Sequence, residues 1–319
     1  MTKTRFLALL TALLLFPGCA AAAGEGQAVH AAAWSRLAPS SGGQTVAQRL
    51  EERAQQRQAE AEAAALAAEQ AAAEAAAAEE AARAEAWALA DHVYSHRGAS
   101  GYEVEHTFAS YDLAIELGSH NIEQDLVTSA DGTLYVSHDE SAARIAGVDR
   151  SFSDMSDEEI AQLRTSNGEG IHTMAEVFER YGKDVTYLVE LKEGQEQARA
   201  FAGLVRKYGM EENVILQSFY PSALEALEGD FPDMPKLSLC REQDAVNRAV
   251  EASYADIVCV KGPLMTESNV KKVHDAGKKF CVYWTDGEAV KTAIQMGADC
   301  YFTNYTDTAL ELEREYRGK

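Results

Sequence analysis

Residues 279–303 read KFCVYWTDGEAVKTAIQMGADCYFT, and their order decides the fold. KFCVYWT and DCYFT are short runs rich in β-branched and aromatic residues, the composition of strands. Between them, AVKTAIQMG is an amphipathic stretch that stops on Gly297, the residue type that most often ends a helix. Strand, helix and strand in so short a span make a βαβ unit.

The same alternation runs back to His92. HVYSH, NIEQDLV, VTYLVEL, NVILQSF, KLSLC and DIVCV read as further strands. FASYDLAIELG, AFAGLVRKYG, ALEALEG, DAVNRAVEAS and NVKKVHDAG read as helices between most of them. Eight strands with intervening helices predict an α/β fold, a (β/α)8 barrel over residues 91–319. An open doubly wound sheet is the competitor, and the lack of a Gly-rich phosphate loop after the first strand counts against it.

Upstream the texture differs. Residues 1–23, MTKTRFLALLTALLLFPGCAAAA, carry Lys3 and Arg5, an apolar run over 6–16 and then small residues, the pattern of an export signal. The run is too short for an ordinary membrane-spanning helix. Cys19 after Phe-Pro-Gly resembles a bacterial lipobox, with Phe16 where Leu is usual. The expectation is a lipoprotein anchored through lipidated Cys19, with cleavage within 20–23 and free secretion as the alternative. Either places the body outside the cytoplasm. Residues 24–44, with Gly, Ser and Pro, read as a flexible linker. Residues 45–90 are dominated by Ala, Glu, Gln and Arg, all good helix formers, with no sustained heptad. They read as a helical spacer about 70 Å long at about 1.5 Å per residue, or else as a partly frayed low-complexity tail.

Composition, at 46% hydrophobic and 25% charged, is that of a globular chain. A net charge of -22 argues against nucleic acid and against adhesion to anionic lipid, while leaving room for a locally basic phosphate pocket. Cys240, Cys259, Cys281 and Cys300 contain no C-x-x-C pair and each falls in a strand-like run. They read as buried unpaired thiols, with one bridge between neighbouring strands as the alternative.

In a (β/α)8 barrel the chemistry sits at the carboxyl ends of the strands. The first strand ends in His96-Arg97-Gly98. Glu123 and Asp125 are two apart on the second and share a face. The ADG turn and TLYVS then make a hairpin that delivers His138. The third strand ends in Glu190-Leu191-Lys192, the fourth in Gln217-Ser218-Phe219, the sixth in Lys261 and the seventh in Trp284. Three inward carboxylates, Glu123, Asp125 and Glu190, repel one another in a low-dielectric pocket. A hard divalent cation resolves this, and oxygen-only ligands favour Ca2+ or Mg2+ over zinc, with Ca2+ expected first and Mg2+ as the alternative. Arg97 and Lys192 suit an anionic phosphate. His96 and His138 can divide general base and general acid work near neutral pH. Together these groups point to phosphodiester cleavage.

The ordered motifs H-R-G, E-x-D, H-D and E-x-K resemble those of the glycerophosphodiester phosphodiesterase family. The resemblance runs over roughly 94–310 and includes IHTMAEVF and VYWTDGEAVKTAIQMGADCYFTNYTD. It implies a TIM barrel that hydrolyses glycerophosphodiesters, small molecules or wall polymers, to glycerol 3-phosphate and an alcohol with bound Ca2+ or Mg2+. It further implies Glu123, Asp125 and Glu190 as metal ligands, His96 and His138 as the acid/base pair, Arg97 as phosphate clamp and Lys192 as a second phosphate cation. Glu105 matches the Glu of the family's P-E-N-T motif and is expected near the metal, and Phe219 and Trp284 are expected to face the glycerol or leaving group. Lys261 has only its barrel position in its favour, and Asp139 reads as an orienting residue. Two departures stand out. The P-E-N-T motif is V-E-H-T here, with Val104 and His106, and the usual T-D after the last strand is Thr303-Asn304, which loses a carboxylate. Two other functions stay open at this point, a phospholipid head-group lyase resembling sphingomyelinase D and a non-catalytic cell-surface binding module.

Overall fold

The structure, a computed structural model, describes residues 44–283 and 285–317. The expected signal segment with Cys19, the linker through residue 43 and Trp284 lie outside the described residues. The chain divides into two units, Met1–Ala76 and Ala77–Lys319.

From Val46 on, the described chain of the first unit belongs to the helix Val46–Ala90, which runs past Ala76, and every side chain described in it is exposed. Propensity and local pairs hold it, because its described side chains form no buried face. Gln56 and Gln58 each donate to a glutamate one turn on, Glu60 at 2.9 Å and Glu62 at 3.0 Å. Among the described residues no helix is long and apolar enough to cross a membrane.

The second unit is the barrel. Its strands are β1 (Val93–Ser95), β2 (Asn121–Thr128), β3 (Leu134–Val136), β4 (Thr186–Glu190), β5 (Val214–Ser218), β6 (Lys236–Cys240), β7 (Ile257–Lys261), β8 (Lys279–Tyr283) and β9 (Cys300–Thr303). They run β1-β9-β8-β7-β6-β5-β4-β2, all parallel, and β1 pairs with β2 to close the ring. That closure removes the open doubly wound sheet. The eight strand-like runs are the eight barrel strands, and the expected hairpin is β3 lying antiparallel on the far end of β2, with Leu126 opposite Val136.

Alternation sorts each strand between two cores. Ile257 and Cys259 point into the barrel with Tyr94, Leu188, Cys281 and Phe302, whereas Val258 and Val260 face the outer helices. All four described cysteines are free and buried. The outer helices begin and end on side-chain and glycine signals. Thr107 caps Phe108–Glu116 by accepting from Ser110 N, and the Glu169 carboxylate accepts from Phe108 N and Ala109 N at 2.8 and 3.1 Å. Glu288–Met296 stops at Gly297 in the left-handed region. Between β3 and β4 the chain inserts short turns, Ala143–Ala146, Phe152–Asp154 and Asp157–Ile160, around a small apolar cluster of their own. None is long enough to show a period in sequence.

Phe178, 1% exposed, lies between the helix Met174–Tyr181 and the barrel, edge-on to Tyr187 with ring centroids 4.8 Å apart. Phe178→Ala should cost about 3–5 kcal/mol, read as a lower urea midpoint with an unchanged slope. A loss below about 1 kcal/mol would mean this face is not packed as described.

Candidate active site

The carboxyl ends of the strands open into a cavity of about 400 Å³. At the end of β1 the chain turns sharply. Arg97 sits in the left-handed region (φ 60) and Gly98 follows at φ 87. A Cβ on Gly98 would stand 2.6 Å from the Ser110 backbone, so only glycine fits. This turn aims the Arg97 amide at Glu123 Oε2 (3.0 Å) and its guanidinium at Glu105 (3.1 Å) and Asp125 (3.3 Å). The strain of a non-glycine left-handed residue is of a kind that collects at functional sites.

Strand register then sets the acids. Asp125 pairs with Glu190, and Glu190 with Gln217, so three polar groups stand at one level on adjacent strands. Glu123 Oε1 accepts from Gln217 Nε2 at 2.8 Å. Asp125 Oδ1 lies 2.9 Å from Lys192 Nζ, and its Oδ2 lies 2.9 Å from His106 Nε2. Lys192 also donates to the His138 carbonyl at 2.6 Å, which ties the hairpin to β4. His138 Nδ1 meets Asp139 Oδ1 at 2.6 Å. Asp139 is held by Arg144, which in turn forks onto Glu105 at 2.7 and 2.8 Å.

His96, Arg97, Glu123, Asp125, His138, Glu190, Lys192 and Phe219 all line this cavity, and so does Lys261. Glu105 stands behind the wall, between Arg97 and Arg144. Thr107, not His106, caps the first helix, and His106 turns inward to Asp125. Sequence reading assigned nothing to β6. Arg241 follows that strand, stacks over Phe219 with its guanidinium 3.7 Å from the ring centre, and joins the wall. Its place just past a strand end was the only available signal. Arg144, in the short insert, had none.

The profile of the glycerophosphoryl diester phosphodiesterase family matches residues 96–308. The chain belongs to this family. A glycerophosphodiester phosphodiesterase of Bacillus subtilis is 27% identical over 253 residues, covering 70% of this chain and 86% of that one. A human lysophospholipase D is 28% identical over 155 residues, 44% of this chain and 48% of that one. Among solved structures, a glycerophosphodiester phosphodiesterase from Agrobacterium tumefaciens superposes with a TM-score of 0.59 at 26% identity, covering 68% of this chain and 98% of its own. A phosphodiesterase from Oleispira antarctica, solved with the product sn-glycerol-3-phosphate, superposes with a TM-score of 0.63 at 23% identity, covering 69% and 96%, and shows the shared fold. The TIM barrel and the enzyme class expected from sequence both hold, and glycerophosphodiester hydrolysis is the activity of this family.

The phosphodiesterase cavity is electrostatically crowded. Burial, and then the charge of Asp125, pushes the Glu123 and Glu190 carboxyls well above their ordinary range. Burial acts on Asp125 in the same direction, yet Lys192, His106 and Arg97 together hold it well below that range. Two acids that resist ionisation beside one fixed anion form a hard-oxygen donor set suited to a divalent cation. His106, Glu123 and Asp125 each place one donor atom within 4.8 Å of the others. His106 is better read as orienting Asp125 than as a ligand. Its Nε2–H points at an ionised carboxylate, and its Nδ1 lies 2.8 Å from the Tyr111 hydroxyl, which can donate to it. His96 is lowered to about 4, by burial and then by Arg97, and His138 is lowered chiefly by burial.

His96 makes the stability of this phosphodiesterase depend on pH. The unfolded chain protonates the imidazole near 6.5, while the folded chain resists until about 4. Stability contributed by the neutral ring is therefore complete above 6.5 and drains away as pH falls to about 4. Urea titrations should show the wild type losing more stability across that window than His96→Gln. Equal losses would place His96 in a more solvated setting.

Proposed function

We propose that this chain cleaves glycerophosphodiesters to glycerol 3-phosphate and an alcohol, with a divalent cation and paired histidines. The observation that carries the reading is one cavity holding His96, His138, Arg97, Lys192 and the carboxylates Glu123, Asp125 and Glu190. The three carboxylates would hold the cation, Ca2+ before Mg2+, and when bound it supplies Lewis-acid stabilisation of phosphate charge and lowers the pKa of an oxygen nucleophile.

The chain's own residues do the rest. Arg97 and Lys192 neutralise and orient the phosphate oxygens. His96, neutral at pH 7 and bonded only to an amide partner at Nδ1, suits the base that takes a proton from the attacking hydroxyl. His138, held at Nδ1 by the Asp139 carboxylate, suits the group that gives a proton to the departing alkoxide. The attacking group is the neighbouring 2-hydroxyl of the glycerol, whose proximity removes the entropy cost of a second reactant. Water then opens the cyclic phosphate with the two histidine roles reversed. Phe219 and Tyr283 offer apolar surface to the leaving group. Free glycerophosphodiesters and glycerophosphate-containing wall polymers both present the required group.

The sequence of residues 1–23 supports export, with Cys19 as lipid anchor and the Ala-rich helix as spacer. Mass spectrometry of the mature N-terminus should find an acylated Cys19, and an unmodified terminus within 20–23 would make the protein freely secreted instead.

With glycerophosphocholine and Ca2+ or Mg2+, glycerol 3-phosphate should appear, and chelator should stop it. Choline released without glycerol 3-phosphate would overturn the reading in favour of head-group cleavage. His138→Ala should lower turnover about 10²–10⁴-fold with bound metal unchanged, and Glu123→Gln should weaken cation binding first in calorimetry.

A further inference from the structure

We propose that Asn304 and Asp286 form a positioning pair that holds His96 with its proton on Nδ1, so that Nε2 is the nitrogen that accepts a proton in the cavity. The inference rests on the reading of His96 as a base, and deepens it by saying what makes the ring competent.

His96 Nδ1 lies 2.8 Å from Asn304 Oδ1. A neutral imidazole carries one N–H, and its place depends on whether the amide shows oxygen or NH2 to the ring. Asp286 decides this. Its Oδ2 stands 3.2 Å from Asn304 Nδ2, and an ionised carboxylate only accepts, so the NH2 must face Asp286 and the oxygen must face His96. Ser100 Oγ, 3.0 Å from the same oxygen, is compatible with that orientation. Asp286 is itself clamped. Its Oδ1 accepts from Thr303 Oγ1 and from Asn304 N, each at 3.0 Å. The carboxylate cannot swing away without breaking both bonds. The carboxylate that the T-D motif would have placed directly on the ring is thus set one hydrogen bond further back. The ring keeps its tautomer and gains no adjacent anion.

The alternative is a pair that merely staples the loop after β8 to the end of β9. The two differ in what a swap does. Asp286→Asn keeps an oxygen for Thr303 and Asn304 N but presents NH2 to NH2. The Asn304 amide should then turn and push the His96 proton to Nε2. Asn304→Asp sets two carboxylates against each other. The double variant, Asp286→Asn with Asn304→Asp, restores donor facing acceptor and an acceptor facing Nδ1–H.

The test uses full-length protein labelled with 15N-histidine. Long-range 1H–15N spectra, with the His96 signals assigned by comparison with His96→Gln, should show the Nδ1–H form in the wild type and double variant and the Nε2–H form in Asp286→Asn. Asp286→Asn should lose at least about tenfold in kcat with KM within about twofold, and the double variant should return to within about threefold of wild type. Thermal midpoints identify a variant that has lost its fold, and the wild-type spectrum decides the tautomer in any case. An Nε2–H wild type, a fully active Asp286→Asn, or a folded double variant no better than the worse single variant would overturn the proposal. Wild-type turnover in His96→Gln would overturn instead the reading of His96 as a base, and the spectra would still judge the pair.

Discussion

Asp125 is the fixed anion around which the site is assembled. Lys192, His106 and the Arg97 guanidinium converge on one carboxylate that is 1% exposed. Three donors hold its carboxyl well below the ordinary range despite burial, while burial and then that one settled charge push the flanking carboxyls of Glu123 and Glu190 well above theirs. A buried charge without such partners would cost several kcal/mol. With them, the cavity holds a graded set of acids rather than a uniform repulsive cluster, and Arg97 and Lys192 line the same cavity.

The barrel is what makes the convergence possible. Parallel register sets Asp125, Glu190 and Gln217 side by side without any loop having to reach. The left-handed Arg97 then brings a backbone amide and a guanidinium to the same acids from the first strand. The hairpin beyond β2 carries His138 back over the opening, fixed by the bond from Lys192 to its carbonyl. Precision comes from strands and short turns, and the helices outside need only keep the ring closed.

Most of this was legible in the chain. Period-two alternation put Glu123 with Asp125, and strand ends in order gave the ring of polar groups, because a parallel barrel maps sequence order onto space. What escaped reading depends on contacts between distant segments. His106 stood out only as a departure from the P-E-N-T motif, since nothing local reveals that its ring turns inward to Asp125. Glu105 carried only its motif match, and nothing local reveals that two arginines, one from an insert too short to be patterned, hold it between them. Asn304 looked like a lost carboxylate, and its replacement at Asp286 lies across the gap between two strands.

The barrel interior has one more consequence. Cys259, Cys281 and Cys300 are register partners on adjacent strands, in a dry core beside Tyr94. Burial pushes Cys259 up to about 11 and the other two well above their usual range, so in the closed ring they stay as unreactive thiols. Before closure nothing shields them. Were the chain exported to an oxidising compartment, ring closure would have to outrun the oxidant, and the finished barrel would then serve as the protecting group for its own sulfur chemistry.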